Sequence, residues 1–230
     1  DPLGLLKLLL WDIDGTLLST GGAGMRALEA AIASEFALTE SASLGKIDWA
    51  GRTDGWIAEM ICEKIGVPHS TENVDRLLRA YVAHLPAHLN TRTEVLPGVR
   101  QILDAARERS DVHQGLLTGN MEIGARAKLG HFGLWDYFPF GAFADDSPRR
   151  NDLGPHALRR AANHAGHEFD PNHVWIIGDT PHDIECGKVI KVKTMAVTTG
   201  HHTEEDLSVH GPDALLTDLS DTKEFWKILG

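Results

Sequence analysis

Basic residues are scarce in this chain: 22 lysines and arginines stand against 33 aspartates and glutamates, a formal net charge of −11. That balance leaves no basic stripe to neutralise phosphates, which argues against nucleic acid or a membrane surface as a partner. Cysteine is scarcer still. Cys62 and Cys186 are too few for a disulfide framework, so the expected compartment is a reducing cytoplasm. Long apolar runs are also lacking. Leu3 to Trp11 is interrupted by Lys7 and too short to span a bilayer. It has neither the charged start nor the small-residue cleavage site expected of a secretory signal. Internal repeats and low-complexity segments are missing too. What is present is a 42% hydrophobic chain of 230 residues with mixed charges. That describes a soluble globular protein with room for one large core or two modest domains.

The patterning predicts strand–helix alternation interrupted once. After the apolar strand ending at Trp11, the small residues Ser19–Gly24 suit a hinge, and Met25, Leu28, Ile32 and Phe36 fall at helical spacing. A second helix is expected from the N-cap residue Thr53 to Gly66, and a third from about Glu72 to Leu85. Short apolar strands resume at Val112–Leu117, Phe140–Ala144, Val174–Ile177, Thr194–Val197 and Ala214–Leu216. Helical patterns at Val99–Arg107, Ile123–Leu129, Pro155–Ala165 and Glu204–Val209 lie between most of them. The expected fold is therefore α/β: a doubly wound parallel sheet formed by residues 1–17 and 93–230, with a smaller helical domain, 18–92, inserted after the first strand.

Chemistry is concentrated at the strand ends. Leu8-Leu9-Leu10-Trp11 runs into Asp12-Ile13-Asp14-Gly15-Thr16. Residues two apart on a strand share a side, so Asp12 and Asp14 are expected to face one place, where a cation or a proton must separate their charges. An Asp-rich turn is the plainer alternative. Thr118-Gly119-Asn120 offers a hydroxyl and exposed amides before a helix, a setting that favours anions, although a capped loop would look the same. Asp179 and Asp183 follow a further strand. Thr180, Pro181 and Asp183 have the spacing of a helix N-terminus with a capping box, whereas Asp179 precedes the cap and is not explained by it. In open parallel sheets functional groups gather beyond the carboxyl ends of the strands, where Asp12, Asp14, Thr118 and Asp179 all fall.

In order, Asp12-Ile13-Asp14-Gly15-Thr16-Leu17, Thr118-Gly119-Asn120 and Gly178-Asp179 with Asp183 resemble the motifs of the haloacid dehalogenase-like hydrolase superfamily. The helical insertion and Gly51-Arg52-Thr53-Asp54 resemble its phosphoglycolate phosphatase-like branch, which carries a helical cap. The resemblance implies a Rossmann-like core and a magnesium-dependent phosphatase acting on a small phosphorylated metabolite through an aspartyl-phosphate. Asp12 would be the nucleophile and Asp14 the acid and base. Mg2+ would be held by Asp12, the Asp14 main-chain carbonyl and Asp179, with support from Asp183. Thr118, Gly119 and Asn120 would hold phosphoryl oxygens.

The chain departs from the family pattern in one place. Where the family places a lysine, this chain reads Asp145-Asp146-Ser147-Pro148-Arg149-Arg150. Arg150 is the better substitute by position and Arg149 the second, although arginine and lysine are not interchangeable. Arg52 is a candidate for a remote anionic group of the substrate, with Trp49 and Trp56 as walls. A sugar phosphomutase would share Asp12, Asp14 and the metal. A phosphonate hydrolase would need a cap lysine, for which Lys46 and Lys64 are available but match no motif. A binding module on a decayed phosphatase fold is a third alternative, and the intact acids argue against it.

Overall fold

Alternate residues of the first strand point to opposite sides of a sheet that is covered on both. Leu9 and Trp11 enter one apolar core, with Ile102, Leu116 and Phe225. Leu8 and Leu10 enter another, with Leu153, Ala157 and Ile176. Burial on both faces is why this strand reads as a continuous apolar run and not as an alternation. The computed structural model describes residues 6–37, 47–90 and 92–230. Lys46, Thr91 and the start of the Leu3–Trp11 run lie outside them.

The chain begins with β1 (Lys7–Trp11), β2 (Leu18–Ser19), α1 (Ala23–Phe36), α2 (Asp54–Lys64), α3 (Thr71–His88) and β3 (Glu94–Val95). It continues with α4 (Val99–Glu108), β4 (Val112–Leu117), α5 (Glu122–His131), β5 (Gly141–Ala142), α6 (Leu153–Ala165) and β6 (Val174–Gly178). The last elements are α7 (Pro181–Ile190), β7 (Lys193–Val197), α8 (Glu204–Ser208), β8 (Ala214–Leu216) and α9 (Thr222–Leu229). Six strands form a parallel sheet in the order β5-β4-β1-β6-β7-β8. This is the doubly wound α/β fold that the sequence pattern predicts. No helix among the described residues is long and apolar enough to cross a membrane.

The register decides which loops meet. Trp11 pairs with Leu116 on one side and with Ile177 on the other. The chain leaves all three strands within two residues of that level, so Asp12, Thr118 and Asp179 emerge side by side. This is the reversal point of the strand order, where such sheets place their sites.

The helices α1, α2 and α3 form a separate apolar cluster. Ala23, Ala27 and Ala31, spaced four apart, give α1 a smooth face on which Leu77, Tyr81 and Leu85 of α3 are buried. The sequence pattern emphasised the larger Met25 and Phe36, which lie at the edge of this cluster. The two chain crossings to this unit run side by side as the antiparallel pair β2–β3, with Leu18 opposite Val95 and Ser19 opposite Glu94.

Two elements differ from expectation. The strand expected over Phe140–Ala144 is only Gly141–Ala142. Beyond it the Phe143 N–H turns to Asp146 Oδ2 at 3.0 Å and the Ala144 N–H to the Asn120 carbonyl at 2.9 Å, which draws the chain off the sheet edge. The final helix α9 lies beyond the elements that the sequence pattern predicts. Asp221 caps it at the Glu224 N–H, and Phe225 stacks on Trp11 with ring centroids 5.9 Å apart.

Candidate active site

A cavity of about 670 Å³ opens above the carboxyl ends of β1, β4 and β6. Asp12, Asp14, Asn120, Arg150 and Asp179 line it from the sheet side. Met25, Trp49, Arg52 and Tyr81 line it from the helical side. The expectation that Asp12 and Asp14 face one place holds, but each carboxylate has its own set of partners.

Asp12, Asp179 and Asp183 are buried, and one carboxylate oxygen from each lies within 4.8 Å of the others. Gly15 makes this approach possible. It has φ +77°, and a β-carbon there would lie 2.3 Å from Asp179 Oδ2. Asp179 also accepts a hydrogen bond from Thr16 Oγ1 at 3.1 Å. Asp183 accepts from the Thr180 N–H at 3.0 Å and from the Thr180 hydroxyl at 2.8 Å, the contacts of a capping residue at the start of α7. Burial, then the charge of Asp183, push the Asp12 carboxyl up to about 7, against the pull of Arg150. Burial and then the Asp12 charge hold the Asp179 carboxyl well above the usual carboxylate range. Among the described residues one guanidinium, that of Arg150, reaches this group of three buried carboxyls. An all-oxygen donor set with a deficit of positive charge fits a hard divalent cation.

The structure separates the two arginines. Arg150 is buried, with Nη2 2.5 Å from Asp183 Oδ1, 3.4 Å from Asp12 Oδ1 and 3.2 Å from the Leu117 carbonyl. Arg149 is exposed and stands 3.9 Å from Asp152. Of the two, Arg150 is the one that lies beside Asp12.

Asp14 is held by partners outside the acid cluster. Both of its oxygens lie 2.9 Å from the ammonium of Lys128, a residue of α5 that sequence reasoning missed. Asn120 Nδ2 donates to Asp14 Oδ2 at 2.8 Å, and Asn120 Oδ1 accepts from Lys128 at 2.7 Å. Burial alone would raise the Asp14 pKa, but the charge and hydrogen bond of Lys128, joined by Asn120 and Thr20, hold it below the usual range. The signal for Lys128 was present in the pattern. Gly124, Ala125, Lys128 and Leu129 form one buried face of α5, and a lysine on such a face needs a charged partner. The side-chain amide of Asn120 thus supports Asp14. Thr118 is fully buried, and its oxygen accepts from the Asn120 N–H at 3.2 Å and from Nδ2 at 2.8 Å. Both contacts use the oxygen as acceptor, and the Thr118 side chain is not among the residues that line the cavity, which Gly119 and Asn120 do.

The segment Gly51–Asp54 seats the helical unit on the core. Thr53 caps α2 at the Trp56 N–H and donates to the Pro148 carbonyl at 2.5 Å. The Asp54 N–H donates to the Gly119 carbonyl at 2.7 Å, while Asp54 Oδ2 accepts from the Met121 N–H at 2.8 Å. Gly119 serves this seam: a β-carbon there would fall 2.2 Å from the Arg52 carbonyl. The Arg52 guanidinium stacks on the Trp56 ring, 4.4 Å from its centroid, and Nε is buried without a hydrogen-bond partner. Lys64 is exposed at the end of α2 and does not line the cavity.

Comparison with known proteins agrees with this geometry. The profile of the haloacid dehalogenase-like hydrolase family matches residues 9–188. The N-acetylmuramic acid 6-phosphate phosphatase of Pseudomonas aeruginosa is 26% identical over 215 residues, covering 92% of this chain and 90% of that protein. Pyrophosphatase PpaX of Halalkalibacterium halodurans is 27% identical over 223 residues, covering 94% of both. Among solved structures, a predicted phosphoglycolate phosphatase from Haemophilus somnus superposes with a TM-score of 0.74 at 16% identity. That match covers 96% of this chain and 98% of the other, and at such identity it speaks for the fold alone.

Proposed function

Since the chain belongs to the haloacid dehalogenase-like hydrolases and is a phosphatase-type enzyme, we propose that it hydrolyses a small phosphate monoester through an aspartyl-phosphate on Asp12. The observation that carries this reading is the Asp12 carboxylate itself. It is buried at the end of the central strand, beside Arg150 and two further acids, and opens on the cavity. An ionised carboxylate so placed can attack phosphorus along the line of the breaking P–O bond. Arg150 holds that charge from behind. Mg2+, held by Asp12, Asp179, Asp183 and the Asp14 main-chain carbonyl, would supply the positive charge that the acids lack and would offset charge on the phosphoryl group.

Asp14 protonates the leaving oxygen in the first step and accepts a proton from the attacking water in the second. The Gly119 and Asn120 loop, with Thr118 behind it, holds the phosphoryl oxygens. The helical segment 18–92 covers the cavity as a cap, hinged at the β2–β3 pair, and its closure excludes bulk water. Arg52, on the far wall, meets a second polar or anionic group of the substrate. A cavity of this size suits a small metabolite. The acidic chain and two buried thiols suit a cytoplasmic setting. A panel of phosphate monoesters assayed with Mg2+ tests the reading. Metal-dependent phosphate release that is lost in Asp12→Asn supports it. Isomerisation without phosphate release would mark a mutase instead, and undiminished release by the Asn variant would refute the assigned nucleophile.

A further inference from the structure

The acids, Arg150 and the Gly119–Asn120 loop account for one side of the cavity. The opposite wall comes from the helical unit and is mainly apolar. Met25 and Leu28, three apart on α1, border the cavity together with Ile57 of α2 and the Trp49 ring. The packing of the three helices explains this. α1 and α2 each rest on α3, and α1 does so with its alanine face. Met25 and Leu28 lie beside that face and on one side of the helix. Leu28 and Ile57 belong to the apolar cluster of the unit and also border the cavity. That cluster is therefore continuous with the wall of the site.

Polar groups on this wall are mostly engaged or peripheral. Asp54 accepts from the Met121 N–H, the Tyr81 hydroxyl is turned to the Lys128 ammonium, and Asp48 is exposed. The Arg52 guanidinium lies on Trp56 and has no hydrogen-bond partner among the described residues. A polyhydroxylated ligand against such a wall would strip water from its hydroxyls without partners in return. Methylenes or an aromatic ring would gain from the same burial. At about 670 Å³ the cavity falls in the range, roughly 300–1,000 Å³, of sites that enclose drug-sized ligands. That is more room than a phosphate joined to two carbons needs. We propose that the substrate is a phosphate monoester whose organic part is an extended apolar body seated on Met25, Leu28, Ile57 and Trp49. Arg52 keeps the role proposed above. The inference rests on the phosphatase reading for the phosphate end and deepens it by naming the class of alcohol.

Chain length separates this reading from a merely roomy cavity. n-Alkylphosphonates, in which a C–P bond replaces the scissile ester linkage, report binding to the Mg2+-loaded protein by titration calorimetry. The matching n-alkyl phosphates report kcat/KM. Each methylene buried is worth up to about fourfold in affinity. Affinity should therefore rise at least about tenfold from ethyl- to hexylphosphonate, with a heat-capacity change that grows more negative along the series. Hexyl phosphate should exceed both phosphoglycolate and glucose 6-phosphate in kcat/KM by about tenfold or more. Met25→Ser should lose most of the gain per methylene, and an undiminished rise in the folded variant would overturn the assigned wall. If that variant does not fold, the wild-type series decides alone. A flat wild-type series, or a preference for either polar ester over hexyl phosphate, would overturn the inference even with every ester hydrolysed. Phosphonate affinity that climbs with chain length while no ester is hydrolysed would uphold the apolar wall and defeat the phosphatase reading.

Discussion

The guanidinium of Arg150 lies 3.4 Å from Asp12 Oδ1, the only ion pair that reaches this carboxylate among the described residues. It stabilises Asp12 in its charged form where burial and two neighbouring acids oppose ionisation. Arg150→Ala should therefore lower kcat/KM about 100- to 1,000-fold, on the scale of losing one charge-stabilising donor. Arg150→Lys should recover part of that. Arg149→Ala, on the exposed side, should stay within about twofold of wild type. Steady-state kinetics on the three variants checks the assignment, and equal small losses would contradict it.

Crowded acids also predict how the protein responds to metal. Mg2+ should raise the melting temperature of wild type, because a ligand that binds only the folded state stabilises it by mass action. Asp179→Asn should be at least as stable as wild type without metal, since it removes one of three mutually repelling carboxylates. The same variant should lose most of the Mg2+-dependent rise. Thermal melts with Mg2+ and with a chelator test this. An undiminished metal response in the variant would place the cation elsewhere.

Close approach at the seam gives a steric prediction. In Gly119→Ala the new methyl would meet the Arg52 carbonyl, a backbone atom that cannot step aside. A cost of about 1–3 kcal/mol is expected, together with reduced turnover. Gly130→Ala, late in α5 with nothing within 4 Å of a β-carbon, should instead be neutral or stabilise by up to about 1 kcal/mol. Denaturant melts of the two variants provide the contrast.

Asp54 supplies a pH dependence. Burial pushes its carboxyl up to about 6, against the attraction of Lys128 and the Met121 N–H. A raised carboxyl pKa means that the folded protein holds this proton more tightly than the unfolded chain does. Stability contributed by that proton is full below the unfolded pKa and is lost as pH rises through 6. The loss amounts to at most about 3 kcal/mol, for roughly two pKa units. Asp54→Asn keeps an oxygen for the Met121 N–H and sheds the buried charge. Its melting temperature relative to wild type should therefore climb between pH 4 and pH 7 and then level off. A difference that is flat across this range would contradict the account.

The sequence carried the sheet and its strand ends because both follow from short-range pattern. The apolar runs at β1 and β6 each stop at an acid that borders the cavity, and the run at β4 ends two residues before Gly119, which borders it too. Arg150 was legible from its place ahead of α6. Pairings between distant elements were not. Nothing local links Lys128 to Asp14, which lie 114 positions apart, although the lysine's place on an apolar helix face was a usable sign. Gly119 also serves the seam with Arg52, which local pattern does not show because it depends on how the helical unit seats. The truncation of β5 turns on Asp146, whose contact with the Phe143 N–H competes with the edge strand. In each of these cases tertiary contact decided what local pattern left open.

The most direct test of the central claim is chemical identification of the phosphorylated residue. Enzyme turning over a phosphate ester with Mg2+ is quenched in acid, reduced with borohydride and digested, which converts an aspartyl-phosphate to homoserine in the affected peptide. The account predicts homoserine at position 12, in the peptide containing Ile13-Asp14-Gly15, and its disappearance when substrate is omitted. Conversion at another acid, or turnover with a phosphorylated residue other than Asp12, would contradict it.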